Sequence, residues 1–197
     1  MTRKCTATTY PNGYENNVLL TAAAVILPLL LSGCGSRHDV KNMMRQMRES
    51  ELVIPADLRR IDGYSISEAP PERKDAALVI YYDSLVCGSC RVDKLAQLDT
   101  LFGLERTFPD FEVLVVFSPK PAEVEEIQVL LMKRRYPHPV YLDYSGSFRE
   151  SNSFIPDDSR FHTFLTGNDG RPVFIGDPYV SKSMWDLFMS AVRQICL

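Results

Sequence analysis

Cys87 and Cys90 stand two residues apart with only Gly88 and Ser89 between them. An apolar run over 76–82 precedes them, and Val92, Leu95, Leu98 and Phe102 recur after them at helical spacing. Two cysteines at this spacing, at the start of a helix, can reach each other to form a disulfide. The positive end of the helix favours a thiolate on the first sulfur. The spacing therefore predicts Cys87 as the attacking sulfur and Cys90 as the resolving one. A zinc site would require a second ligand pair at similar spacing. The remaining soft ligands, Cys5, Cys34, Cys196, His38, His138 and His162, are scattered along the chain. A dithiol is thus favoured over a metal centre, and no cofactor is called for. Either a reactive pair or a static disulfide satisfies the same residues.

Cys34 is the second cysteine with chemistry in its surroundings. Arg3 and Lys4 open a polar lead that includes Glu15, and an apolar run over 18–31 follows. That run is short for a membrane span but suits the core of a signal peptide. It ends in Leu31-Ser32-Gly33-Cys34, which resembles the bacterial lipobox. The resemblance implies cleavage before Cys34 and transfer of a diacylglycerol to its sulfur, whose acyl chains are fatty acids such as palmitate. With no aspartate after Cys34, it also implies sorting to the outer membrane, facing the periplasm. The chain divides accordingly into a signal peptide at 1–33, a lipid-anchored tether with a short helix at 34–50, and a domain at 51–197 with its core at 76–197. Export places the chain where disulfides persist. Composition adds exclusions: the net charge is −3, and no basic stripe suggests a nucleic-acid partner. The sequence leaves the oligomeric state open.

The elements that must hold the dithiol follow from periodicity. Val40, Met43, Met44 and Met47 predict an amphipathic helix over 37–49, and short strands are predicted at 51–55 and 64–67. The run 76–82 reads as a strand covered on both faces. A helix reaching Gly103, a strand over 111–117 and a helix opened by Pro121 and stopped at Tyr136-Pro137 come next. An extended piece at 138–144 and a short turn or helix at 148–154 lead to strands at 161–166 and 172–175. Asn168-Asp169-Gly170-Arg171 joins these strands as a hairpin. Trp185, Phe188, Val192 and Ile195 mark one face of a final helix.

This order, with the dithiol heading the first helix of the core, resembles the thioredoxin-like superfamily, and more closely its exported, membrane-anchored members. The stretch 161–178, with Thr163-Phe164-Leu165, Asp169-Gly170-Arg171 and Gly176-Asp177-Pro178, is similar to thioredoxin-like lipoproteins. The resemblance implies an α/β fold: a three-layer α/β/α sandwich around a mixed central sheet. Extra strands stand at its N-terminal side, and an insert around 141–148 precedes the C-terminal hairpin. It implies thiol–disulfide exchange with envelope protein thiols or disulfides, served by a redox partner protein. Three positions depart from the family pattern. Phe161 or His162 stands where the family has a cis-proline, Val86 where an aromatic residue precedes the first cysteine, and Tyr81 where a buried carboxylate is usual. His162 is accordingly a candidate site residue beside Cys87, able to stabilise its thiolate or take its proton. The alternative is a buried ring bonded within the hairpin. Two further readings stay open: a scaffold lipoprotein with a static Cys87–Cys90 disulfide, and a copper carrier using Cys87, Cys90 and His162. Copper-delivery relatives have a three-residue gap between their cysteines, which argues against the second.

Overall fold

The structure, a computed structural model, describes residues 35–85 and 87–197. The signal peptide and Cys34 inferred above lie outside the described residues, as does Val86. Helix α1 spans Gly35–Glu49, and the unit from Met43 onward carries the fold. Among the described residues no helix is long and apolar enough to cross a membrane.

Seven strands form one mixed sheet in the order β2-β1-β5-β4-β3-β6-β7. Their ranges are β1 (Arg59–Asp62), β2 (Ser65–Ser67), β3 (Ala76–Tyr82), β4 (Phe111–Phe117), β5 (Val140–Leu142), β6 (Thr163–Thr166) and β7 (Pro172–Ile175). Strand β3 lies between β4, to which it runs parallel, and β6, to which it runs antiparallel; β5 extends the parallel part beyond β4. The strands β3 and β4 are nearly continuous apolar runs because helices or loops cover both of their faces. Alternation along β3 separates the two layers. Leu78 and Ile80 join Val92, Leu95, Phe102, Ile127 and Phe188 in one buried cluster. Tyr81 turns the other way, with its ring 5.2 Å from that of Phe148.

The first layer contains α2 (Gly88–Val92), α3 (Asp99–Gly103), α4 (Val124–Arg134) and α6 (Lys182–Cys196); Phe148 belongs to α5 (Ser147–Ser151). Strands β1 and β2 are the extra N-terminal pair, and β5 with α5 occupies the insert region before the hairpin.

Three local readings change. The segment 51–55 is not a strand, because its backbone groups find other partners. Leu52 N–H donates to Gly170 O (2.9 Å), while the Asn152 side chain accepts from Val53 N–H (2.8 Å) and donates to Val53 O (2.7 Å). The helix after the dithiol is not continuous to Gly103. Lys94 N–H bonds to Arg91 O and Gln97 N–H to Lys94 O, three residues back, and the Tyr136 hydroxyl donates to Leu95 O (2.9 Å). Those bonds tighten the chain into a 3₁₀ turn over Leu95–Leu98 between α2 and α3. Strand β6 begins at Thr163, not at Phe161, because Asp158 caps a 3₁₀ turn over Ser159–Phe161 by accepting from Arg160 N–H.

Candidate dithiol site

Strand β3 ends at Tyr82, and a short loop delivers the chain to α2. Within that loop the Asp83 carboxylate accepts Leu85 N–H at 3.0 Å. Cys87 is the N-cap residue of α2, in extended conformation (φ −64°, ψ 102°), and its sulfur accepts Cys90 N–H at 3.3 Å. A sulfur in the N-cap place takes the position normally filled by a serine or aspartate oxygen. Cys87 and Cys90 are joined as a disulfide with Cα atoms 5.3 Å apart, and both residues are exposed. Ser89 Oγ lies 3.5 Å from the Cys87 sulfur.

Gly88 lets α2 sit close to the layer beneath. A Cβ at this position would meet Ile127 Cδ1 of α4 at 2.7 Å. Gly88 therefore faces the core, and the two sulfurs that flank it face outward. On the far side of Cys90, the Arg91 guanidinium lies over the Tyr82 ring, 5.4 Å from its centroid. Burial, partly offset by the nearby Arg91 charge, raises the Tyr82 hydroxyl above its ordinary pKa, so it stays neutral.

His162 is placed differently from the cysteines. The residue is 4% exposed, and its carbonyl continues the sheet by accepting Tyr81 N–H at 2.9 Å. Its ring centroid lies 5.2 Å from that of Tyr81, and Nε2 is 2.8 Å from the Pro156 carbonyl. A carbonyl can only accept, so Nε2 carries the proton in this bond. Nδ1 is buried without a partner. The ring thus belongs to the Tyr81 layer, while α2 packs on the layer of Leu78 and Ile80. Tyr81 has its hydroxyl raised by burial and is neutral as well. Among the described residues no three His, Cys, Asp or Glu side chains gather as a metal site.

Sequence reasoning missed the cleft next to the dithiol helix. Its volume is about 520 Å³, and Arg91, Lys94, Thr163, Asp177, Tyr179 and Val180 contribute to its walls. These residues come from three separate stretches, and no motif joins them.

No protein-family model and no curated protein matches the sequence. Among solved structures, the chain is similar to a pneumococcal exposed lipoprotein thioredoxin from Streptococcus pneumoniae, at 17% identity and TM-score 0.42, over 62% of this chain and 86% of that one. It is similar to the thioredoxin domain of a thiol-disulfide oxidoreductase from Bacteroides vulgatus, at 12% identity and TM-score 0.46, over 73% and 98%. A putative thiol:disulfide interchange protein DsbE from Chlorobium tepidum matches at 13% identity and TM-score 0.46, again over 73% and 98%. The sheet order, the antiparallel hairpin of β6 and β7 and the Cys87–Cys90 bond at the head of α2 make this a mixed α/β fold of the arrangement expected from the sequence, with a CxxC disulfide.

Proposed function

We propose that the chain is a thiol–disulfide exchange protein of the cell envelope, working through Cys87 and Cys90 and held at the outer membrane by a lipid on Cys34. The observation that carries the exchange reading is the capping bond from Cys90 N–H to the Cys87 sulfur. In the reduced protein this donor and the helix end favour a thiolate at Cys87. That thiolate attacks one sulfur of a partner disulfide, forming a Cys87–partner bond and releasing the other partner sulfur, which takes up a proton. Cys90 then loses its proton and attacks the Cys87 sulfur. The Cys87–Cys90 bond forms, and the second partner sulfur leaves as a thiol. The partner has gained two electrons and two protons, and a redox partner protein restores the dithiol; the reverse sequence oxidises a partner dithiol.

A static structural disulfide is the competing reading, and ring size weighs against it. A bond closing a four-residue loop restricts the unfolded chain little, contributing only about 2 kcal/mol. His162 in this reading is a positioning residue, its ring bonded to Pro156 and its carbonyl to Tyr81 where the chain enters β6. The lipid anchor rests on the Leu31-Ser32-Gly33-Cys34 resemblance.

The test is a reduction potential for the full chain, together with trapping in a Cys90→Ser variant. A potential within roughly −120 to −270 mV and a stable Cys87–partner mixed disulfide support exchange. A potential below about −300 mV with no trapped partner would establish a structural bond.

A further inference from the structure

Arg91, on the dithiol helix, and Lys94, just past its end, line the cleft of about 520 Å³. The pair differs from the other cations nearby in entering no ion pair. Arg134 is bonded to Asp93 at 2.5 Å, and the Arg160 guanidinium is forked onto Asp158 at 2.5–3.0 Å. Among the described residues, neither Arg91 nor Lys94 enters an ion pair, although Asp93 stands between them in sequence. The cleft contains one carboxylate, that of Asp177, which accepts Tyr179 N–H at 2.8 Å. Tyr179 and Val180, which also line the cleft, are 44% and 73% exposed and offer apolar surface. In a chain of net charge −3, this cleft is a local reversal of sign that starts at Arg91, the residue after Cys90.

We infer that the cleft selects its exchange partner by charge. The occupant is an extended polypeptide segment carrying a carboxylate side chain within a few residues of its reacting cysteine, with Arg91 and Lys94 as the specificity-determining residues. This rests on the exchange reading of Cys87 and Cys90. One or two exposed ion pairs correspond to a preference of about fivefold, screened by salt and expressed largely in the rate of encounter.

The experiment uses three synthetic peptides with acidic, neutral and basic flanks and has two arms. In the first, serine replaces the peptide cysteine, and binding to the oxidised full chain is titrated. The acidic peptide should bind about fivefold more tightly than the neutral one and the basic peptide more weakly; the order should vanish in the Arg91→Gln/Lys94→Gln variant and at about 1 M salt. In the second, the cysteine peptides enter as mixed disulfides, and exchange with the reduced chain should follow the same order. Equal or undetectable binding of the three serine peptides overturns the inference. Charge-ordered binding without exchange leaves the cleft's selectivity standing and removes the exchange reading. Exchange without any charge order removes the selectivity alone.

Discussion

Cys87 and Cys90 both reach solvent, yet their backbones differ. Cys87 caps α2 with its sulfur, and Cys90 supplies the N–H that the sulfur accepts. The donor stabilises a negative charge on Cys87 once the bond is reduced. Alkylation of the reduced protein at mildly acidic pH should therefore label Cys87 first, as read by peptide mass mapping; first labelling of Cys90 would exchange the two roles. His162 leads to a different expectation. Its ring packs on Tyr81 and bonds to Pro156, so His162→Ala removes a buried ring and one hydrogen bond. The loss in stability should be about 2–4 kcal/mol in urea unfolding, while thiolate absorbance of Cys87 titrates as in the parent. A raised thiol pKa in that variant would instead place the imidazole in the electrostatics of the dithiol.

At the scale of elements, α2 is short and is held down through Gly88. Gly88→Ala would press a methyl group onto Ile127 Cδ1, the far end of a buried side chain. The expected cost is about 1 kcal/mol. Ile127→Val removes the atom in the way, so the double variant should be more stable than the sum of the single losses predicts, a coupling readable in a double-mutant cycle. Strict additivity would mean that α2 does not rest on Ile127. Helix α6 shows the usual end chemistry, with the Ser181 hydroxyl accepting Met184 N–H at 3.2 Å, and its inward residue Phe188 is fully buried against Phe111 and Phe174. The sequence periodicity at Trp185, Phe188, Val192 and Ile195 was sufficient to read that helix. The break between α2 and α3 was not readable, because it depends on the hydroxyl of Tyr136, a residue far along the chain.

For the whole molecule, the central consequence concerns where the fold is held. In the proposed arrangement a lipid on Cys34 anchors the chain, and residues 34–50 separate that anchor from the domain. Cys34→Ala should yield an unprocessed or soluble form without lipid label, whereas label equal to the parent's would remove the anchor from the reading. Multiple acyl chains would give stable membrane attachment, unlike the marginal binding of one chain. Reduction should leave the domain folded, with a stability loss of about 2 kcal/mol in chemical denaturation, because the disulfide closes only a four-residue loop. A reduced protein that unfolds would return the disulfide to a structural role.

The sequence by itself determined the features that depend on local pattern. Strand β3 coincides with the apolar run 76–82, β4 with 111–117, and the hairpin turn with Asn168-Asp169-Gly170-Arg171, where Gly170 takes the positive φ of 73° that glycine adopts freely. The pairing of Cys87 with Cys90 was legible for the same reason, since two intervening residues keep the sulfurs within reach on one helical turn. Tertiary structure alone decided what distant partners control. Asn152 takes the backbone of Val53 away from any strand, 99 residues away in sequence. The ring of His162 belongs to the layer of Tyr81 because its Nε2 bonds the Pro156 carbonyl and its own carbonyl takes Tyr81 N–H. Arg91 and Lys94 become a charged wall only because the turn at 177–180 and the entry to β6 close the other sides of the cleft. Periodicity reports which face of an element is buried, and it carries no information about which distant group arrives to meet that face.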